Sequence, residues 1–333
     1  MIGAFTIIVE ESDSGRRLDT VVASQLPGCS RSLAATLIAD QHILVNQQPK
    51  KPGFHIKPGD RIEGHIPAPE PVDYAPEPIA LHVLYQDRHI IVVNKQAGIV
   101  VHPAPGHSGG TLVNALLFHC PDLEAIGGEI RPGIVHRLDK DTTGTMVVAK
   151  NAKTQEELSR QFKAREVHKT YLALVYGNLP SETGEIKLPI GRHPVDRKRM
   201  STTTRKGRVA ETAWKVRERY KGITLLELTL KTGRTHQIRV HCSAIGHPIV
   251  GDRVYHSGKR LKSVIRSYSG ESSSMTAQLK ALPRQMLHAW RLGFIHPHSG
   301  KSMRIESPIP KDMEELIDLL RRGGEAGDTF GAR

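Results

Sequence analysis

Three stretches of the chain carry side chains that could do chemistry. The first is PGIVHRLDKDTTG at 132–144, which holds a carboxylate, Asp139, in a polar loop between Ile134-Val135 and the apolar run Met146-Val147-Val148. Arg137 and Lys140 flank it, and positive charge nearby favours the carboxylate form. A positioned carboxylate can serve as nucleophile, base or metal ligand, although a single loop Asp is more often a turn or cap residue. The second stretch, HKTYLALVYG at 168–177, sets Tyr171 at the head of an apolar strand. The third, KTGRTHQIRVH at 231–241, gathers Lys231, Arg234, His236, Arg239 and His241 where a strand turns into a helix. Basic side chains at a helix N-terminus oppose its dipole, so an anionic partner is expected beside them. A guanidinium there could clamp a phosphate or pair in a bidentate way with a buried carboxylate.

Charge says what kind of partner such a site would meet. The 333 residues carry 47 Lys and Arg against 34 Asp and Glu, a formal charge of +13. Residues 1–80 hold 7 basic and 10 acidic groups and residues 311–333 hold 4 and 6, so 81–310 carries 36 against 18. A polyanion should therefore bind mainly to the middle of the chain, and nucleic acid is the obvious one. The densest cluster, GRHPVDRKRMSTTTRKGR at 191–208, includes Arg197, Lys198, Arg199 and Arg205, and its composition reads as a phosphate-contacting loop. There is no Walker loop, Rossmann glycine fingerprint or metal-spaced His/Cys cluster. Cys29, Cys120 and Cys242 lie too far apart to read as a disulfide framework. No apolar run reaches the roughly 18 residues of a membrane span, and no basic residue precedes the first apolar stretch. A cytoplasmic protein is expected.

The elements that must position these groups fall into two domains. HIPAPEPVDYAPEPIA at 65–80, with five prolines, reads as a stiff linker over 67–80. Ahead of it, residues 1–66 show a helical stripe at Leu18, Val21, Val22 and Leu26, and Ser30 caps a second helix bearing Leu33, Leu37 and Ile38. A small hairpin sheet follows through HILVN and the strand after Pro58-Gly59-Asp60. Residues 81–310 mix strands and helices without a regular βαβ alternation. This predicts an α+β fold with a mixed, mainly antiparallel sheet. The remainder, 311–333, reads as a C-terminal helix and flexible tail, and SGESSSM at 269–275 as a flexible surface excursion.

HRLDKDTTG (136–144), YLALVYG (171–177) and GRTHQIRVH (233–241) stand in the order of the signature segments of the RluA/RluD family of RNA pseudouridine synthases, which the chain resembles closely over about 85–310. VVNKQAGIVVHP, GTLVNAL, GHPIVGD and LHAWRLGFIHPHSG support the resemblance. Thr143 stands where that family usually has Ser. The pieces RLD (17–19), SRS (30–32), LVN (44–46) and KPGD (57–60) resemble the small RNA-binding domain shared with ribosomal protein S-four, except that Gln41 and Gln47 replace glycines usual at its turns.

The resemblance implies an isomerase that needs no cofactor and no metal. Asp139 would be the catalytic carboxylate, attacking covalently or deprotonating the ribose. Tyr171 would stack on the base and help remove the carbon-5 proton, Arg239 would pair with Asp139, and Leu287 would form part of an apolar wall. Arg137 is the candidate to fill the place of a flipped-out uridine. Arg234 and Lys231 would contact phosphate, and His136 would support the loop. In the small domain Arg16, Arg17, Arg31, Lys50 and Lys51 would contact RNA, although its formal charge is zero over 1–66 and a protein-docking module is the alternative. The implied partner is RNA, most naturally 23S ribosomal RNA, with transfer RNA the alternative. A monomer without membrane attachment is expected. A non-catalytic RNA-binding factor and a metal-dependent nuclease using Asp139 and Asp141 are the rival readings.

Overall fold

The computed structural model describes residues 4–26, 29–66, 75–102, 109–121, 123, 133–196, 199–204, 206–255, 258, 262, 264 and 273–325. The chain divides into two compact units, Met1–Val72 and Asp73–Arg333.

The first unit packs two helices on a sheet. Strand β1 (Ala4–Ile8) leads to α1 (Leu18–Gln25), α2 (Arg31–Ala39), β2 (Ile43–Val45) and β3 (Arg61–His65). Leu18, Val21, Val22 and Leu26 are all buried, as their helical spacing predicts, against Ile43, Val45 and Ile62. Ser30 caps α2 by accepting from the Leu33 backbone N–H at 3.2 Å. The sheet has three strands in the order β1-β3-β2, one more than the hairpin expected from sequence. The added strand presents only Phe5 and Ile7 to the core and sits at the chain start, where no turn signal announces it. Gln41 and Gln47 both hold φ of 62°. The left-handed turns that glycine would favour are thus kept by residues with a Cβ.

In the second unit β4 (His82–Gln86), β5 (Ile90–Lys95), α3 (Leu112–His119), β6 (Thr143–Ala149), α4 (Ala152–Ala164), β7 (His168–Tyr176) and β8 (Thr183–Lys187) come first. A short ribbon of β9 (Gly191–Arg192) and β10 (Met200–Ser201) follows, then β11 (Glu211–Tyr220), β12 (Ile223–Leu230), α5 (Gln237–Ala244), α6 (Ser273–Ala281), β13 (Leu287–Ile295), β14 (Ser302–Glu306) and α7 (Lys311–Glu325). Nine strands form one sheet in the order β4-β5-β6-β13-β7-β12-β11-β8, with β14 on β13. Only the β6–β13 pairing is parallel among the described strands, so the α+β, mainly antiparallel expectation holds. Strand side chains alternate between faces, and β7 uses both. Tyr171, Ala173 and Val175 join one core, while Leu172, Leu174 and Tyr176 join the core under α6 and α7.

Four expectations need correction. Residues 67–74 lie outside the described residues, but 75–80 is no free linker. Asn114 Nδ2 donates to the Ala75 carbonyl at 2.9 Å, and the Glu77 N–H donates to the Asn114 carbonyl at 3.0 Å. The expected C-terminal helix is present as α7, but it belongs to the second unit instead of following it, because Met313, Leu316, Ile317 and Leu320 are buried in that unit's core; 326–333 lie outside the described residues. Residues 269–272 also lie outside, yet from Ser273 the serine-rich stretch is helix α6, which buries Met275 and Leu279. The basic loop at 191–208 is in part a ribbon, with Met200 paired to Arg192; Arg197, Lys198 and Arg205 lie outside the described residues.

Candidate active site

The loop bearing Asp139 is fixed at both ends by glycines that no other residue could replace. Gly133 has φ of 68° and a Cβ there would meet the Ala149 carbonyl at 1.9 Å. Gly144 has φ of 121° and its Cβ would meet the Ala289 carbonyl at 2.2 Å. These close approaches lock the loop against β6 and β13. Between them, buried Lys95 donates to the carbonyls of Gln96 and Lys140 at 2.8 and 2.9 Å. Burial lowers its pKa to about 8, although Asp141 and Asp139 pull it upward. The buried Arg284 donates to the Asp141 carbonyl at 3.3 Å while its fork holds Asp312 of α7 at 2.7 and 2.7 Å. Thr143 Oγ1 lies 2.9 Å from His288 Nδ1, so the hydroxyl retained there ties the loop to β13.

His136 behaves as the loop support expected from sequence. It accepts the Val147 N–H at Nε2 and stacks on Phe162 with ring centroids 4.7 Å apart. Burial, then the charge of Lys169, lowers its pKa to about 3, so it stays neutral.

The third segment folds around its polar side chains. Gln237 opens α5 and closes the preceding turn, accepting from Thr232 Oγ1 and the Arg234 N–H while donating to the Glu211 carbonyl. Two residues on, Arg239 is only 7% exposed and lies between two carboxylates. Its Nε and Nη2 donate to Asp252 at 2.7 and 3.1 Å, and its Nη1 donates to Asp139 Oδ2 at 3.0 Å. Burial works against the charge of Asp252, but hydrogen bonds from Arg239 and from the Tyr255 and Val254 N–H groups outweigh it and its pKa falls. Arg239 in turn is raised above its ordinary value, because the two carboxylates outweigh its desolvation. Sequence reading anticipated the anionic partner but not Asp252, which sits in GHPIVGD as an ordinary turn residue. Its one distinguishing signal is that Gly-Asp closes an apolar run.

These residues meet at an open cleft. Asp139, Tyr171, Leu287, Arg137, Arg234 and Arg239 all line it. The Asp139 carboxylate is 19% exposed, so it is held yet reachable. Tyr171 and Leu287 arrive on paired strands: Leu287 lies opposite Ala173, two residues from Tyr171. Burial, then the neighbouring Asp139, raises the pKa of Tyr171, which keeps it a phenol. Arg137 is exposed at the rim, and Arg234 Nε donates to the Val209 carbonyl at 3.2 Å. Lys231 does not line the cleft. Glu185 and Glu211 hold its ammonium at 3.5 and 3.6 Å, which makes it a contact between strand ends instead of a cleft cation. His236 and Thr142 line the cleft unpredicted.

Among the described residues no group of three or more His, Cys, Asp or Glu is placed to hold a metal ion, and no helix is long and apolar enough to cross a membrane. In the first unit Arg17 grips Asp19 at 3.1 and 2.7 Å and Arg31 lies 3.4 Å from it, while Arg16 pairs with Asp13. Lys50 sits over the Phe54 ring at 5.3 Å, and Lys51 is exposed.

A mixed-sheet unit with a carboxylate held in a cleft, preceded in the sequence by a small two-helix unit, is what the fold and site define, and comparison with known proteins identifies the family. The RNA pseudouridylate synthase family matches residues 89–244 and the S4 domain matches residues 16–62. An uncharacterised RNA pseudouridine synthase of Bacillus subtilis is 42% identical over 96% of this chain and 98% of its own. Ribosomal large subunit pseudouridine synthase D of Xanthomonas campestris is 42% identical over 94% of this chain and 92% of its own. Among solved structures, human RNA pseudouridylate synthase domain containing 4 is 26% identical, with a TM-score of 0.56 over 72% of this chain and 93% of that one. The chain belongs to the RNA pseudouridine synthase family and carries an N-terminal S4 domain. It is an isomerase that acts on RNA.

Proposed function

We propose that the chain converts specific uridines of 23S ribosomal RNA to pseudouridine, acting as a monomer in the cytoplasm with Asp139 as the reacting carboxylate. The observation that carries this is the placement of Asp139: a reachable carboxylate in a cleft, aimed by a buried arginine, beside an aromatic ring and an aliphatic wall. The reaction breaks the bond from C1′ to N1 and forms one from C1′ to C5. The C5 proton is lost and N1 gains one, so atoms and electrons balance without a redox partner. Asp139 serves either by attacking covalently or by deprotonating the ribose.

The target base must leave its stack to reach the cleft, which costs a few kcal/mol. Arg137, exposed at the rim, fills the vacated place, since a planar guanidinium stacks and hydrogen-bonds as a base does. Tyr171 and Leu287 sandwich the flipped uracil. The raised pKa of Tyr171 favours stacking over service as a phenolate base. Arg234 meets the phosphate beside the flipped nucleotide, and Arg199, with Arg197 and Lys198 next to it in the sequence, supplies further phosphate contacts. In the S4 domain Arg16, Arg17, Arg31, Lys50 and Lys51 contact RNA. The substrate reading draws on relatives whose names specify the large ribosomal subunit.

Tritium release from C5-labelled uridine tests both levels. The wild-type chain should release tritium from 23S RNA, and Asp139→Asn should release none while binding that RNA equally well. Release by the Asn variant would overturn the carboxylate assignment, and release from transfer RNA alone would overturn the ribosomal substrate.

A further inference from the structure

His236 stands next to Asp139 with a backbone φ of 55°, at the residue that precedes α5. Its Nε2 lies 3.8 Å from Asp139 Oδ2, beyond hydrogen-bond reach, and Oδ2 already accepts from Arg239. Its other nitrogen, Nδ1, lies 2.8 Å from the Tyr255 hydroxyl. That hydroxyl also accepts the Met200 backbone N–H at 2.8 Å. A backbone N–H can only donate, so the hydroxyl's own hydrogen is free to go to Nδ1. An Nδ1 that accepts leaves the proton of a neutral imidazole on Nε2, the nitrogen facing the carboxylate. Burial keeps the ring neutral: it lowers the pKa of His236 more than Asp139 and Asp252 raise it, and Arg239 and Arg137 push the same way as burial.

The far end of this chain of hydrogen bonds is the basic ribbon. Met200 begins β10, and Arg199 precedes it with its guanidinium 5.5 Å from the centre of the Tyr255 ring. Arg239 lies over the same ring at 5.1 Å. The Nε of Arg199 is buried and has no hydrogen-bond partner. Tyr255 is therefore held by the ribbon through its hydroxyl, and two guanidinium groups lie near its ring, one belonging to the ribbon and one to the cleft.

We propose that His236 is a positioning residue for Asp139, its tautomer set by Tyr255, and that RNA seated on the β9–β10 ribbon moves Tyr255 and draws the His236 Nε2–H onto the carboxylate. The ligand class is the RNA phosphate backbone, which meets Arg199 at the head of the relay. Catalytic hydrogen bonds that are long in the free enzyme commonly tighten in the substrate complex. The second donor to Oδ2 then holds the carboxylate in one rotamer as the flipped uridine enters. The proposal rests on Asp139 being the reacting group.

The test is single-turnover and steady-state kinetics on 23S RNA. Tyr255→Phe keeps the ring and both guanidinium contacts but loses the hydroxyl. It should lower kcat about tenfold, the worth of one hydrogen bond to a charged group, with KM changed less than about twofold. His236→Ala should lower kcat similarly, and the double variant should be no slower than His236→Ala alone. His236→Gln, which offers an amide N–H toward Asp139, should recover part of the loss. Additive losses in the double variant, or no recovery by Gln, would mean that the two residues serve the fold separately, and would overturn the relay. Full kcat in Tyr255→Phe and His236→Ala would overturn it as well. An active Asp139→Asn enzyme would instead defeat the reading on which the relay rests, so the two failures are distinguishable.

Discussion

Arginine does opposite work in the two units of this chain. In the S4 unit Arg16, Arg17 and Arg31 have side chains 42%, 45% and 59% exposed, each against a buried carboxylate, Asp13 or Asp19. Their partners anchor one edge of each guanidinium and leave the rest facing solvent. In the catalytic unit Arg239 is buried with both edges taken, two donors on Asp252 and one on Asp139. A half-exposed, anchored guanidinium is suited to meet a phosphate that arrives. A buried one with both edges on carboxylates has three of its five N–H groups committed, and it chiefly aims what it already holds. Charge in the neighbouring sequence does not separate Arg17 from Arg239; burial, which composition does not report, decides which task each arginine has.

The sharpest way to break this comparison is to make matched changes in each unit. Arg239→Lys keeps the charge but cannot hold two carboxylates through a fork. It should lower kcat by about a hundredfold or more, with RNA affinity little altered, because the loss falls on orientation of Asp139, the carboxylate proposed to react. Arg31→Ala leaves Arg17 on Asp19 and so spares the fold. It should raise KM and flatten the salt dependence of RNA binding by about one counterion. Filter binding across a salt series, together with kcat measurements, reads both. If Arg239→Lys chiefly weakened binding, or Arg31→Ala chiefly slowed turnover, the division of labour would be wrong.

Acid should separate the units next. His288 is buried, its ring held by Thr143 and Ser307, and burial lowers its pKa to about 4; that of His136 falls to about 3. Between those values and the ordinary 6.5, the unfolded chain binds protons that the folded chain does not, so stability falls as pH falls through that window. In the S4 unit the hydrogen bond from Arg17 holds Asp19 at about 2. A depressed carboxylate contributes stability above its unfolded value near 3.8 and loses it only as pH drops from there toward 2. The catalytic unit should therefore weaken between pH 6.5 and 4, by on the order of a few kcal/mol, while the Asp19 contribution is still intact. Both tryptophans, Trp214 and Trp290, lie in the catalytic unit, so urea titrations followed by tryptophan fluorescence report that unit alone. A denaturation midpoint flat between pH 6.5 and 4, or a slope unchanged in His288→Gln, would refute the assignment.

The same contrast marks what the sequence could and could not reveal. The helical stripe of α1, the Ser30 cap and the three signature segments were legible because each is a local pattern: a period, a cap or a spacing. Asp139, Tyr171 and Leu287 were placed together by resemblance, and the cleft does bring them together. Asp252 and Tyr255 stayed hidden because their importance comes from contacts with residues far along the chain. The surroundings of Lys231 were hidden for the same reason. It stands in a basic run, but the carboxylates that occupy it come from other strands, β8 and β11. Strand β1 was missed because it pairs with β3, more than fifty residues on, and carries only a partly buried apolar face.

The smallest effect lies in a turn of the S4 unit. Val45 and Gln48 exchange backbone hydrogen bonds at 3.0 Å in both directions, so Asn46 and Gln47 form a two-residue hairpin loop, with φ of 51° and 62°. Positive φ at both central residues is the type I′ turn, whose preferred sequence is Asn-Gly. Asn46 suits its place, since its side chain also donates to Asp60 at 2.8 Å and accepts the Arg61 N–H at 2.9 Å. Gln47 has no such compensation and bears the left-handed conformation with a Cβ, at a cost of roughly 1 kcal/mol. Gln47→Gly relieves that strain, while the greater freedom of glycine in the unfolded chain takes part of the gain back. The net expectation is a stabilisation of about 0.5 kcal/mol, confined to the S4 unit. Hydrogen exchange at the Leu44 and Ile62 amides should slow by about twofold, with the tryptophan-detected midpoint of the catalytic unit unmoved. Faster exchange at those amides would show that the glutamine is held by more than its turn.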